Sequence, residues 1–275
     1  MISLAFITKI VTQKKNSERY NVYLDRGKGE EYAFSVDQDV LIKYNLTKGK
    51  EVDELDVGEI QFADDVKKAH NVAVRYLSYR IRSIKEIDDY LKKNEVPEQI
   101  IQEVVHKLQE ANYVDDEQFA LAYVQTQIKT SIKGPDRIKR ELKEKGISAR
   151  YAEKAMNTYT TELQIQHAMK HAEKIAKQSA KLSILNIKQK IEQTLVRKGF
   201  YWDIIQIVIE EISEITGQEE NNELEALQHQ ASKINNRLKK YTGWEYEQKL
   251  KQALYRKGFS IELIEEFIQK NKPFE

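Results

Sequence analysis

Two short clusters in the sequence contain the residue types that catalysis or metal binding requires. Three acids stand together at Asp115-Asp116-Glu117, and His167 and His171 lie four residues apart. Neighbouring carboxylates can transfer a proton, and two histidines at this spacing can share one metal ion. Asp115, however, directly precedes a helical pattern, where it is expected to cap the first turn. The histidines have no third ligand nearby and lie in a Lys-rich helix, so a solvated helix face is expected and no metal site is predicted.

Other catalytic signatures are missing from the sequence. It contains no G-x-x-x-x-G-K-[ST] loop, no G-x-G-x-x-G after a predicted strand and no G-x-S-x-G turn. It also contains no cysteine, which excludes disulfides, thiolate metal ligands and a cysteine nucleophile. We therefore expect no catalytic residue, no metal and no cofactor, and the protein is not expected to be an enzyme.

Basic residues interleaved with tyrosines are better candidates for function. Segment 75–82 reads RYLSYRIR, and segment 133–140, KGPDRIKR, opens a predicted helix whose amide end attracts anions. Basic pairs recur before glycine at 197–198 and 256–257. Lys and Arg neutralise phosphates, and Tyr rings stack on unpaired bases. The alternative is that the basic side chains cover apolar surface with their aliphatic stems.

The charge distribution also favours binding of a polyanion or an acidic protein surface. The formal net charge is only +1, but residues 129–198 contain 17 Lys and Arg against 7 Asp and Glu, an excess of +10. Residues 210–230 contain seven Glu and no Lys or Arg. The candidate binding residues are Arg75, Tyr79, Arg80, Arg82, Lys133, Arg137, Lys139, Arg140, Lys143, Lys145, Arg197, Lys198, Arg256 and Lys257.

These candidates need elements that position them, and the chain favours long helices, with only 10 Gly and 3 Pro in 275 residues. Four segments align without gaps on Leu91, Leu142, Leu195 and Leu254, which are 51, 53 and 59 residues apart. In each segment an apolar residue precedes the leucine by four positions, and in three of them Lys-Gly follows it. The first segment has Asn94-Glu95 instead. A repeat of about 50 residues predicts tandem helical units.

Each unit is expected to contain two short helices and a longer third helix, which is clearest at 115–124. Glycines that accept the left-handed conformation mark helix ends at Gly146, Gly199 and Gly258. Predicted starts are the N-caps Ser148 and Ser260 and the capping boxes Ser83…Glu86 and Thr242…Glu245. Because no unit can bury its faces alone, the stacked units are expected to form an elongated curved array.

Residues 1–62 have a different pattern. Segments 20–25 and 32–36 alternate as strands around a glycine-bearing loop, 6–11 is a candidate third strand, 37–44 a short helix and 48–50 a turn. This β-hairpin element is expected to dock on a helix. The predicted domains are therefore 1–62, 63–128 with a linker helix and the first repeat, 129–180, 181–238, and a partial repeat at 239–275. No signal peptide or membrane-spanning stretch is found, so the cytoplasm is expected.

Three segments of the sequence resemble a known family. They are residues 75–83, residues 113–124, and the pattern G-x-x-x-I-x-x-E-L-x-x-K-G-I at 134–147. They resemble the RecX family of recombination regulators, and the remaining parts are similar to the longer RecX proteins of Gram-positive bacteria. The resemblance implies tandem three-helix units, no catalytic residues, and binding to the RecA filament on DNA. It further implies restraint of RecA assembly, ATPase activity and strand exchange.

The expected fold is thus mainly α, with tandem three-helix repeats and a small N-terminal β-hairpin element. The expected partners are the RecA filament and single-stranded DNA, with double-stranded DNA as a further candidate and no membrane, and the protein is expected to be a monomer. Two alternatives stay open: a DNA-binding regulator that acts on nucleic acid alone, such as a helix-turn-helix protein, and a plain helical scaffold.

Overall fold

The protein, seen in a computed structural model that describes residues 4–217 and 220–271, divides into two compact units. The first unit, residues 1–119, opens with four strands and a short helix. They are β1 (Ala5–Gln13), β2 (Asn16–Asp25), β3 (Glu30–Asp37), α1 (Gln38–Lys43) and β4 (Glu51–Val52). The antiparallel sheet has the strand order β3-β2-β1-β4. The rest of the unit is helical, with α2 (Glu54–Leu77), α3 (Ile84–Lys93) and α4 (Glu98–Glu110).

The sheet follows from the alternation of apolar residues along its strands. Val22, Leu24 and Val36 are fully buried on one face, and Ile60 of α2 completes the core beneath them. The three predicted strands, the short helix and the docking on a helix are confirmed. The predicted hairpin is larger than expected, because the two-residue β4 adds a fourth strand that is too short to leave a periodic signal.

One buried ion pair fixes α2 to the sheet. Asp64 of α2 is 1% exposed, accepts a hydrogen bond from the backbone N–H of Asp37 at 2.7 Å and pairs with Arg19 at 2.8 Å. Burial raises the pKa of Asp64, but the hydrogen bonds from Arg19 and Lys68 outweigh it and leave the pKa below its usual value. The carboxylate therefore stays ionised where the strands meet the helix.

The second half of α2 forms the first three-helix bundle with α3 and α4. Val66 and Ala73 of α2, Leu91 of α3 and Val104 of α4 share one buried core. Ser83 caps α3 by accepting from the N–H of Glu86, whose side chain accepts in return from the N–H of Ser83. This predicted capping box is confirmed.

The second unit, residues 120–275, is helical in its described part. α5 (Asp116–Thr130) enters it from the first unit, and eight helices follow. They are α6 (Pro135–Glu144), α7 (Ala149–Met156), α8 (Thr161–Gln178), α9 (Ile184–Lys198), α10 (Trp202–Gly217), α11 (Glu220–Leu238), α12 (Gly243–Tyr255) and α13 (Ile261–Lys270). α6 packs on α7, while α8–α10 and α11–α13 each enclose a separate apolar core. No helix among the described residues is long and apolar enough to cross a membrane.

The predicted leucine register is confirmed. Leu91, Leu142, Leu195 and Leu254 are all 0% exposed. The three predicted helix-ending glycines have positive φ angles between 80° and 85°. Glu95 takes the same left-handed conformation, with φ at 61°, at the position where the other repeats have glycine. The mainly helical fold with tandem three-helix units is therefore as expected, and the domain boundaries stay a prediction.

The predicted helix starts are confirmed at two of three further positions. Ser148 accepts from the N–H of Tyr151 at 3.3 Å, and Ser260 accepts from the N–H of Leu263 at 3.2 Å. The capping box at Thr242 is wrong, because the Thr242 side chain makes no capping hydrogen bond. The next residue, Gly243, has φ at +53°, so the backbone enters α12 without the geometry that aims a capping hydroxyl at the first turn.

Replacing Leu142 with Ala tests the register that defines the repeats. The side chain is fully buried, so its truncation should leave a cavity and lower the free energy of unfolding by about 2–5 kcal/mol. Thermal melting followed by circular dichroism measures the loss. Leu55→Ala is the control, because Leu55 is 72% exposed and its replacement should change little. An unchanged melting temperature for Leu142→Ala would refute the register.

Candidate nucleic-acid interface

The candidate binding residues of the first unit lie at and just after the end of α2, and they differ in availability. Arg75 is exposed in the last turn of α2, and Tyr79 is 78% exposed just beyond it. Arg80 pairs with Glu86 at 2.9 Å and also donates to the carbonyl of Ile81. Arg75 and Tyr79 are therefore the exposed candidates of this segment that no ion pair holds among the described residues.

Arg82 has a structural role that the sequence did not indicate. Its guanidinium lies 4.0 Å from the centre of the Tyr76 ring, and Tyr76 stacks on Tyr90 at 3.8 Å with the rings nearly parallel. Tyr76 belongs to α2 and Tyr90 to α3, so the stack joins these two helices. A cation over an aromatic face is stabilising, especially when partly buried. Arg82 is therefore held within the first bundle rather than displayed for a partner.

In α6, several candidate cations converge on one carboxylate. Glu141 pairs with Lys133 at 2.8 Å and with Arg137 at 3.3 Å, and it accepts a hydrogen bond from Tyr123 at 2.7 Å. Burial raises the pKa of Glu141, but the hydrogen bonds from Lys133 and Tyr123 outweigh burial and keep the pKa below its usual value. The positive charges of Lys133 and Arg137 are thus partly neutralised by Glu141 within the second unit.

The remaining candidates of the second unit are more exposed. Arg140 pairs with Asp136 at 2.9 Å on the surface, while the ammonium groups of Lys139 and Lys145 lie over tyrosine rings, 5.8 and 5.4 Å from the ring centres. Those rings belong to Tyr201 and Tyr123. Four exposed candidates have no ion-pair partner in the part of the chain that the structure describes: Lys143, Arg197, Arg256 and Lys257.

The amide end of α6, which was expected to attract an anion, is closed by another helix, so that expectation is wrong. The N–H of Gly134 donates to the carbonyl of Lys198 at 2.8 Å, and the N–H of Asp136 donates to the carbonyl of Gly199 at 3.1 Å. A Cβ atom on Gly134 would lie 2.2 Å from the Gly199 carbonyl carbon. The last carbonyls of α9 therefore occupy the place where a phosphate would bind.

The same contact recurs between the next pair of bundles. Ser183, the N-cap of α9, donates its hydroxyl to the carbonyl of Lys257 at 2.6 Å, and the amide of Asn186 donates to the same carbonyl at 2.7 Å. A Cβ on Gly258 would lie 2.7 Å from the Ser183 hydroxyl. We call these two contacts the Lys-Gly joints: 198–199 against the start of α6, and 257–258 against the start of α9. The Lys-Gly pairs thus join bundles through their backbones.

The acidic cluster has a structural role. Asp115 accepts from the N–H groups of Glu117 and Gln118 at 2.7 and 3.0 Å, which confirms that it caps α5. Asp116 accepts from the N–H of Ile84 at 2.9 Å and so caps α3, a contact that the sequence did not indicate. Burial raises the pKa of Asp116, and the charge of Asp115 raises it further.

The two histidines are partly buried, so the expected solvated face of this helix includes them only in part. The Nδ1 atom of His167 lies 3.1 Å from the hydroxyl of Tyr159, which is 2% exposed and donates to the carbonyl of Lys133. Burial lowers the pKa of both His167 and His171. Among the described residues no group of three His, Asp or Glu could hold a metal ion.

Comparison with known proteins gives the same domain order. Residues 5–53 match the N-terminal domain of regulatory protein RecX. Residues 69–108 match the first RecX three-helix domain, 115–156 the second, and both 162–209 and 221–268 the third. Regulatory protein RecX of Bacillus velezensis is 49% identical over 269 residues, which cover 98% of this chain and 100% of that protein. The chain belongs to the RecX family.

Further relatives agree with this RecX assignment. Regulatory protein RecX of Bacillus subtilis is 46% identical over 98% of this chain and 100% of its own length. A crystal structure of regulatory protein RecX is 36% identical with a TM-score of 0.65, covering 74% of this chain and 98% of that one. Another, of RecX from Lactobacillus salivarius, is 40% identical with a TM-score of 0.52, covering 55% and 98%. The resemblance drawn from the sequence is confirmed, and RecX-family members are regulatory proteins rather than enzymes.

Replacing Gly199 with Ala tests the first Lys-Gly joint. The left-handed backbone, with φ at 85°, disfavours any Cβ, and this Cβ would also lie 2.6 Å from the backbone nitrogen of Arg137. We expect the free energy of unfolding to fall by about 2–5 kcal/mol in urea titrations. Gly243→Ala is the matched control, because Gly243 also has a positive φ but nothing lies within 4 Å of the added atom. The control should lose only about 1–2 kcal/mol. Equal losses would show that the joint is not tightly packed.

Proposed function

We propose that this chain binds the RecA filament on DNA and restrains its assembly, ATPase activity and strand exchange. The observation that carries the proposal is its similarity, over nearly the whole length of both chains, to proteins named regulatory protein RecX. The repeats add a physical reason, since proteins built from tandem repeats use the repeated surface to bind their partners. The proposed place of action is the cytoplasm, and the protein is proposed to act as a monomer.

The finer proposal is that exposed basic side chains of the second unit contact DNA phosphate or acidic RecA surface. Lys143 and Arg197 support it best, because both are exposed and have no ion-pair partner among the described residues. In the first unit, Arg75 and Tyr79 are the available candidates, where Arg75 would meet phosphate and Tyr79 would stack on an unpaired base.

The ion pairs of α6 indicate how readily each of the other candidates could turn to a partner. The Arg140–Asp136 pair is exposed, with side chains 63% and 49% accessible, so it is worth at most about 1 kcal/mol and a phosphate can replace the carboxylate. Lys133 and Glu141 are only 25% and 19% accessible, and Glu141 also accepts a hydrogen bond from the hydroxyl of Tyr123. Arg140 is therefore free to turn to a partner at low cost, whereas Lys133 should remain with Glu141.

Charge reversal of Arg137, Arg140 and Lys143 to Glu tests whether the basic α6 surface acts in this function. We expect the triple variant to inhibit RecA strand exchange less than the wild type. The dependence of log affinity for the filament on log salt should also flatten, because each lost single-strand phosphate contact removes about 0.7 from the slope. Inhibition and filament affinity are measured for both proteins at two salt concentrations.

A matched control reverses three exposed lysines of α8, Lys170, Lys174 and Lys177, which makes the same change in net charge outside the candidate set. This control should inhibit like the wild type, and circular dichroism should show both variants folded. Equal inhibition by the α6 variant at both salt concentrations would show that its basic residues are only a solvated face. Equally tight binding to single-stranded DNA alone and to the filament would favour a regulator that acts on nucleic acid alone.

A further inference from the structure

The first unit contains a small pocket between α1, α2 and α4 that has no part in the surface described above. Its volume is about 210 Å³. Its apolar lining comes from Val40, Ala63 and Val66. Its polar lining residues are Asp39, Lys43, Lys67, His70 and Lys107.

The three lysines reach the pocket from three different helices. Lys43 ends α1, Lys67 lies in α2 and Lys107 lies in the last turns of α4. A single lysine whose stem covers an apolar surface is ordinary. Three lysines from separate elements that line one concave apolar floor are unusual, because their like charges repel each other unless an anion lies among them.

The neighbouring acids neutralise this charge only in part. Asp39 forms an ion pair with Lys67, whose charge is also attracted by Asp37 and Glu18. Lys107 pairs with Glu103 at 3.3 Å, but both side chains of this pair are 40% exposed, so solvent weakens it. Lys43 lies 5.4 Å from the centre of the Tyr44 ring and has no ion-pair partner among the described residues. The pocket lining thus includes three lysines and one aspartate.

The pKa of His70 is sensitive to the positive charge of the neighbouring lysines. Burial lowers its pKa, and the positive charges of Lys67 and Lys107 lower it further, while a hydrogen bond with Asn71 opposes them. The repulsion from Lys67 persists although Asp39 pairs with it. The imidazole is therefore mostly neutral near pH 7 and can share a hydrogen bond with a bound group.

We propose that this pocket binds a phosphate group, held by Lys43, Lys107 and the imidazole of His70 above the floor formed by Val40, Ala63 and Val66. The volume of about 210 Å³ leaves room for a phosphate group and ordered water. Lysine binds phosphate as a point charge and needs no bidentate geometry, which suits three flexible side chains around an open rim. The group can belong to a nucleic-acid strand or to free phosphate.

The test follows the NMR titration of the His70 ring proton, which is identified as the signal lost in His70→Gln. Inorganic phosphate should raise the titration midpoint of His70 by about one pH unit, because an anion within about 4–6 Å favours the imidazolium. Sodium chloride at equal ionic strength is the reference, since screening of the lysines alone also raises the midpoint. A second arm uses a short single-stranded oligonucleotide in place of phosphate.

Lys43→Ala and Lys107→Ala should each weaken the phosphate affinity by about tenfold, as expected for the loss of one charged hydrogen-bond donor. Lys93→Ala is the matched control: it removes the same charge from an exposed position in α3 that does not line the pocket, and it should leave the response unchanged. Saturation by the oligonucleotide at a lower concentration than phosphate would assign the group to a nucleic-acid strand, and a response to phosphate alone would assign it to the free anion. No shift beyond that of chloride, or an equal loss in Lys93→Ala, would overturn the proposal.

Discussion

Every α-helix leaves its first N–H groups and its last carbonyl groups without partners inside the helix, and the second unit depends on how these groups are satisfied. At the first Lys-Gly joint, the carbonyls of Lys198 and Gly199 accept hydrogen bonds from the N–H groups at the start of α6. At the second, the carbonyl of Lys257 accepts hydrogen bonds from the side chains of Ser183 and Asn186 at the start of α9. Since the carbonyl end of α9 lies 2.2 Å from where a Cβ on Gly134 would be, the first joint requires glycine.

This constraint links the fold to the proposed binding surface. Arg137 lies in the first turn of α6, directly beside the joint. The amino end of α6 is closed by carbonyls of Lys198 and Gly199, so it does not bind an anion. Binding of a polyanion must then rest on side chains such as Lys143 and Arg197, which stay exposed after the ion pairs of α6 are formed. The +10 excess of residues 129–198 thus overstates the charge available to a partner. Part of it pairs with Glu141 inside the protein, and part remains exposed to solvent.

The sequence predicted those features that depend on local pattern. The four buried leucines, the left-handed glycines and the serine caps each follow from spacing within one helix or at one helix end, and the structure has them all. What could not be predicted depends on contacts between distant segments. The closure of α6 by Lys198 and Gly199, the capping of α3 by Asp116 and the stack of Arg82 on Tyr76 leave no mark in a periodic pattern. Periodicity indicates which residues are equivalent, but it does not indicate which surfaces meet.

The most direct test of the joints is amide hydrogen exchange of the unmodified protein at the start of α6. The N–H groups of Gly134 and Asp136 should be protected nearly as well as the interior of α6, because the carbonyls of α9 accept their hydrogen bonds. The comparison is with the first amides of α7, at Ala149 and Arg150, which have no acceptor among the described residues and should exchange rapidly. Exchange at Gly134 and Asp136 as fast as at those two residues would contradict the account, since the bundles would then not be joined through their helix ends.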